Sequence, residues 1–230
     1  WLSADPPVKA PNPDFMTRPW DLNPYQYGRQ NPVMYWDPDG RDVEVLVGGP
    51  YTDYKGKEHP YGHVALRVHG EGYDQVYDFG RYGQVRGVGG SEGDGILRVW
   101  RSSQSYVAGE NATGRTTRGY NFTTSSQEDQ VVMKYFADLS DGLKGKPGSR
   151  KRPFTQYQLK RDYHALGNNC TTVSLDGFKA GVGRLSLEDK AYNTGRSLEF
   201  SEKLGVKAMG WPNQFFMPAD LDAKLRSVTT

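Results

Sequence analysis

The sequence predicts an α+β fold in which an antiparallel sheet packs against helices, preceded by a proline-rich extended segment. Three observations carry this. Short alternating runs of β-branched and aromatic residues crowd positions 42 to 102. Segments with helical spacing and capping residues follow beyond position 125. The first 41 residues hold Pro6, Pro7, Pro11, Pro13, Pro19, Pro24, Pro32 and Pro38, more than half of the chain's 14 prolines. That density denies the segment regular ladders and helix interiors. Two domains result, 1–41 and 42–230.

Each element follows in order. "DVEVLVGG" from residue 42 reads as a strand, "HVALRVHG" from 63 as a second and "DQVYDFG" from 74 as a third, with Gly70 and Gly72 in the turn between the last two. "GILRVWRS" at 95–102 supplies a fourth strand after a glycine-rich connection at 80–95. That connection contains "GVGGSEGDG" but has neither a P-loop lysine nor a strand-to-helix setting, so it reads as a loop, not a phosphate cradle. At 125–143, Ser125 and Glu128 form a capping box ahead of Val132, Tyr135, Phe136, Leu139 and Leu143 on one helical face. A second helix starts at "NNCTT", capped by Asn168 or Asn169 and ended by Gly181. A third begins at Pro218, with Leu221, Leu225 and Val228 aligned.

Composition excludes several classes. The formal net charge is +2 and the basic residues are dispersed, which gives no footprint for nucleic acid or an anionic membrane. The densest basic cluster, "GKPGSRKRP" at 145–153, is bracketed by Gly and Pro and reads as a solvated loop. No run of 18 apolar residues occurs, and the N-terminal "WLSADPPVKAPNPDF" lacks the order of a signal peptide. One cysteine, Cys170, precludes an internal disulfide or a multi-cysteine zinc site, and no metal or cofactor is expected.

That cysteine stands at a predicted helix start, where unpaired N–H groups and the positive dipole end favour a thiolate. A thiol nucleophile needs an imidazole base and a group to orient it. Among the four histidines, His59 and His69 lie in or at turns, and His164 lies close to Cys170 in sequence but ahead of the loop entering its helix. His63 alone opens a strand whose Val64, Leu66 and Val68 can anchor it, which makes it the first choice of base and His164 the second. On the adjoining strand Asp78 or Tyr77 shares the face of His63, depending on register; Asp78 is the expected orienting group. The backbone N–H groups of Cys170 and Thr171 supply an expected oxyanion hole, with Asn169, Thr171 and Thr172 lining it. The competing expectation is an inert buried cysteine and a satisfied core histidine.

Two resemblances add to this. "SADP" at 3–6, "LNPYQY" at 22–27, "NPV" at 31–33 and "DPDG" at 37–40 resemble the end of the Rhs core, the shell-forming YD-repeat proteins of bacterial polymorphic toxins. The resemblance covers about the first fifth of the chain. It implies an aspartyl autoprotease made by Asp5 and Asp37 that cuts just after the "DPDG" element, although the linker between the motifs is longer than usual and Arg41 replaces the usual leucine. It also implies partners: the Rhs shell, a type VI or related secretion apparatus and a cognate immunity protein, with delivery into a target cell.

The order of parts beyond residue 41, "YGHVALRV" and "YDFGRYG" early, "GNNCTTVSL" and "MPADL" late, resembles the circularly permuted papain-like group, which includes permuted NlpC-type hydrolases and lecithin:retinol acyltransferase-like proteins. This resemblance implies a permuted papain-like fold and a cysteine hydrolase, amidase or peptidase first. A thiol phospholipase or acyltransferase comes second, with membrane lipid a partner only then, and "GWPNQFFMP" at 210–218 offering apolar residues for a lipid pocket. A non-enzymatic binding toxin is the rival of a different kind.

Overall fold

The computed structural model describes residues 42–228. Asp5 and Asp37 lie outside them, and the boundary between the chain's two structural units falls at Arg41. The described part is a mixed α+β fold with five helices and a large antiparallel sheet.

In chain order, β1 (Asp42–Gly48) is followed by a small hairpin of β2 (Tyr51–Thr52) and β3 (Glu58–His59), then by β4 (His63–Gly70) and β5 (Tyr73–Gly80). The glycine-rich connection carries β6 (Val85–Arg86) and β7 (Glu92–Gly93), and β8 (Ile96–Trp100) follows. Next come α1 (Ser103–Asn111), β9 (Thr117–Thr123), α2 (Ser126–Leu139), β10 (Lys146–Pro147), β11 (Phe154–Gln158) and β12 (Tyr163–His164). The chain ends with α3 (Cys170–Gly181), α4 (Phe200–Met209) and α5 (Pro218–Val228).

The seven-stranded sheet runs β10-β11-β8-β5-β4-β1-β9, so β5 and β4 are central. A three-stranded sheet, β12-β7-β6, gathers the glycine-rich connection against the segment that leads into α3.

Strand alternation sorts the side chains into two layers. Val43, Val45, Val64, Leu66, Val68, Tyr77, Phe79 and Leu97 face the main core, where Phe136 from α2, Val173 and Phe178 from α3, and Leu221 and Leu225 from α5 meet them. Phe136 stacks on Tyr77 at 4.1 Å between ring centroids, and burying such a ring stabilises the fold by roughly 2–3 kcal/mol. The opposite face holds a smaller cluster of Leu46, Ala65, Val76 and Trp100 under Tyr106 of α1.

Caps fix the helix starts. Ser125 and Glu128 close the expected capping box, but α2 stops at Leu139 instead of 143, because Ser140 turns its hydroxyl onto the Phe136 and Ala137 carbonyls. Within "QFFM", Phe215, Phe216 and Met217 are buried and pack into the core clusters. No helix among the described residues is long and apolar enough to cross a membrane.

Candidate active site

The register between β4 and β5 decides the first question. Arg67 pairs with Val76 and Leu66 with Tyr77, so His63 and Asp78 share the face of the smaller cluster and Tyr77 turns into the main core. His63 Nε2–H donates to Asp78 Oδ1 at 2.6 Å, with both side chains almost wholly buried.

His63 is the first residue of its strand, which places its ring at the end of the sheet. Gly62 makes that possible: its φ is +72°, and a Cβ there would stand 2.6 Å from the Gly48 carbonyl oxygen.

The other half of the site arrives on α3. Asn169 is its N-cap: Oδ1 accepts from Thr172 N–H at 3.0 Å, and Thr172 Oγ1 reciprocates by accepting from Asn169 N–H at 2.9 Å. The Asn169 amide donates to the carbonyls of Ala165 at 2.5 Å and Phe216 at 3.0 Å. These contacts commit every polar atom of the Asn169 side chain to holding the helix start, not to facing a substrate. Thr172 N–H and Val173 N–H are taken by Asn169, which leaves the amides of Cys170 and Thr171 as the first-turn donors outside the cap among the described residues.

Cys170 stands beside His63, near enough for each to shift the ionisation of the other. With His63 Nε2 held by Asp78, Nδ1 is the ring nitrogen left for sulfur. The Thr171 hydroxyl, next along the helix, is buried with no hydrogen-bond partner among the described residues.

Electrostatics follow from this line of groups. Burial works against charge on His63, but the Cys170 sulfur and the Asp78 carboxylate together outweigh it and push the imidazole up to about 10. Burial likewise opposes the Cys170 thiolate, and the neighbouring His63 overcomes it and holds the thiol below its ordinary value. Asp78 is held low against its own burial by His63, by the Tyr82 hydroxyl and by Arg98. Each shift favours the charged form of its group: thiolate, imidazolium and carboxylate.

The fold brings Cys170, His63 and Asp78 together, with Thr171 following Cys170 in the first turn of α3. It separates the other histidines from them. His164 Nδ1 accepts from its own loop at Leu166 N–H, His59 lies 3.4 Å from Asp53 and stacks on Tyr51, and His69 lies 3.7 Å from Asp42.

Sequence reasoning did not find Tyr82 or Trp100. The Tyr82 hydroxyl donates to Asp78 Oδ1 at 2.7 Å, and Trp100 Nε1–H donates to Oδ2 at 3.3 Å. The available signals were a lone aromatic in a glycine-rich connection and a tryptophan on the face of Asp78. A cavity of about 270 Å³ lined by Ser186, Glu188, Asp189, Asn193 and Phe215 contains none of these groups. Among the described residues no cluster of three or more His, Cys, Asp or Glu side chains could hold a metal ion.

No protein-family model matches the chain, and no curated protein or solved structure shows significant similarity to it.

Proposed function

We propose that residues 42–230 form a cysteine hydrolase of permuted papain-like arrangement, the toxin region of an Rhs effector, acting on an amide bond. Residues 1–41 are then the terminal piece of the shell, with Asp5 and Asp37 as its autoprotease pair. The observation that carries the enzymatic reading is the buried His63–Asp78 hydrogen bond with Cys170 beside that imidazole at a capped helix N-terminus.

The chemistry follows from those positions. The Cys170 thiolate attacks a carbonyl carbon, and the oxyanion that forms is met by the Cys170 and Thr171 N–H groups. His63 gives its proton to the departing amine as the C–N bond breaks, leaving a thioester. The neutral imidazole then takes a proton from water, whose oxygen displaces sulfur and regenerates thiolate and imidazolium. Asp78 keeps the ring oriented throughout.

A second reading, a thiol phospholipase or acyltransferase, has one observation in its favour. Helix α4 exposes Phe200 and Leu204 outward, and its Glu202 is tied to Tyr61, two residues before His63.

The test is expression toxicity of wild type, Cys170→Ala and His63→Ala in the target compartment, followed by peptidoglycan, protein and lipid extracts as substrates. Both variants are expected to lose toxicity and hydrolysis by several orders of magnitude. If both stay fully toxic, the domain kills by binding and the hydrolase reading fails; released fatty acid instead of amine selects the second reading.

A further inference from the structure

Tyr82 stands where the glycine-rich connection leaves β5, and four observations converge on it. Its hydroxyl donates to Asp78 Oδ1 at 2.7 Å, the same oxygen that accepts from His63, and lies 3.2 Å from His63 Nε2. Its ring meets the imidazole edge-on, 6.3 Å between centroids. The Arg98 guanidinium, which projects from the position paired with Asp78 across β5 and β8, lies 3.5 Å from the Tyr82 ring centroid and 4.7 Å from that of Phe154. Finally, the ring folds back over Gly80, where a Cβ would stand 2.8 Å from Tyr82 Cε2.

Together these describe a seat. Glycine at position 80 leaves room for the ring, Arg98 presses on one face of it, and the hydroxyl then has one place to go. The solvent side of the ring is partly exposed while His63 and Asp78 beneath are buried, so the ring separates the pair from water.

We infer that Tyr82, seated by Gly80 and clamped by Arg98, is a positioning residue that fixes the Asp78 carboxylate against His63 and keeps water from the pair. This deepens the proposed function and rests on that reading of the site. The hydroxyl shares Asp78 Oδ1 with the imidazole, so the carboxylate cannot rotate away without breaking two charge-assisted bonds. The ring lowers the local dielectric, and attraction between imidazolium and carboxylate strengthens accordingly. Other titratable groups press on Tyr82 or His63 from each neighbouring element: Asp78 on β5, Arg98 on β8, Tyr106 and Glu110 on α1, Arg115 ahead of β9, and Cys170 on α3.

The experiment needs no substrate. Cys170 is the chain's sole thiol, so its alkylation by iodoacetamide across pH in the full-length protein reports thiolate formation at one site. Access to sulfur sets the plateau rate; positioning sets the midpoint. In wild type the midpoint is expected well below the ordinary thiol value near 8.5. Tyr82→Ala and Gly80→Ala, which remove or evict the ring, should raise the midpoint by about one pH unit, about tenfold less thiolate at a pH below both midpoints. Tyr82→Phe, which keeps the ring, should move it less and in the same direction. Unchanged midpoints in all three variants, with circular dichroism and thermal unfolding intact, overturn the inference. A wild-type midpoint near 8.5 overturns the ion pair and Tyr82's role with it, whereas expected midpoints in a protein without hydrolytic activity sink the proposed function alone.

Discussion

At the scale of single residues, the site depends on where each hydrogen-bonding atom is already engaged. Asn169 is the clearest case, because its carbonyl caps the helix carrying sulfur while its amide holds the Ala165 and Phe216 carbonyls. Asn169→Ala should lower stability by about 2–3 kcal/mol, roughly 1 from the lost cap and the remainder from buried carbonyls left without a donor. Urea unfolding at neutral pH measures it. Asn169→Asp keeps an acceptor for the Thr172 amide but loses both donors and sets a negative charge beside the sulfur, so the Cys170 alkylation midpoint should rise. Cys170, His63 and Asp78 were legible in the sequence because nucleophile, base and orienting carboxylate have chemical signatures and a helix start is marked by its cap. Tyr82 was not, because its role arises from a loop folding back over Gly80, which leaves no periodic trace.

Among elements, the packing of α2 on α3 is set by two glycines. A Cβ at Gly177 would stand 2.6 Å from the Phe136 ring, and one at Gly181 would stand 2.4 Å from Val132. Gly177→Ala gains about 1 kcal/mol of helix propensity. Overpacking against a ring already stacked on Tyr77 costs roughly 1–3 kcal/mol, so the sum should be destabilising and the melting temperature should fall. Gly205, in α4, has open space around it, and Gly205→Ala should raise the melting temperature through the propensity gain alone. The same contrast explains which elements could be read in advance. Strands β1, β4, β5 and β8 and helices α2, α3 and α5 carry strong alternation, caps or an N-terminal proline. Helix α1 buries only Tyr106, and β9 interrupts its pattern with Gly119 and buries only Tyr120, so tertiary contact more than local pattern decides them.

For the whole molecule, the titrating groups set a pH window. His69 is pulled down to about 4 by burial and by Arg67, so the unfolded chain binds more protons between about 6.5 and 4 and stability falls as pH drops through that range. Asp74 and Asp78 are both held low, and their contributions disappear on further acidification. His63, raised to about 10, contributes stability that is full below 6.5 and lost as pH climbs to 10. Cys170, lowered, contributes stability that is full above the ordinary thiol value and shrinks as pH falls. Between about 6.5 and 9 the last two slopes oppose each other, so the denaturation midpoint should be nearly level there and decline on either side. Urea midpoints from pH 4 to 10.5 test the shape, and His69→Gln should flatten the acid limb. The sheet order adds a kinetic consequence. His63 and Asp78 sit on central strands of a seven-stranded sheet, whose amides exchange with deuterium only when the whole domain opens. Tyr82 sits at the head of a connection whose residues 82–89 are exposed, and such segments open locally at far smaller free energy. One wall of the site thus keeps the time of global unfolding and the other borders the time of a surface loop, so deuterium should enter the connection beyond Tyr82 long before it reaches the strands that hold the imidazole.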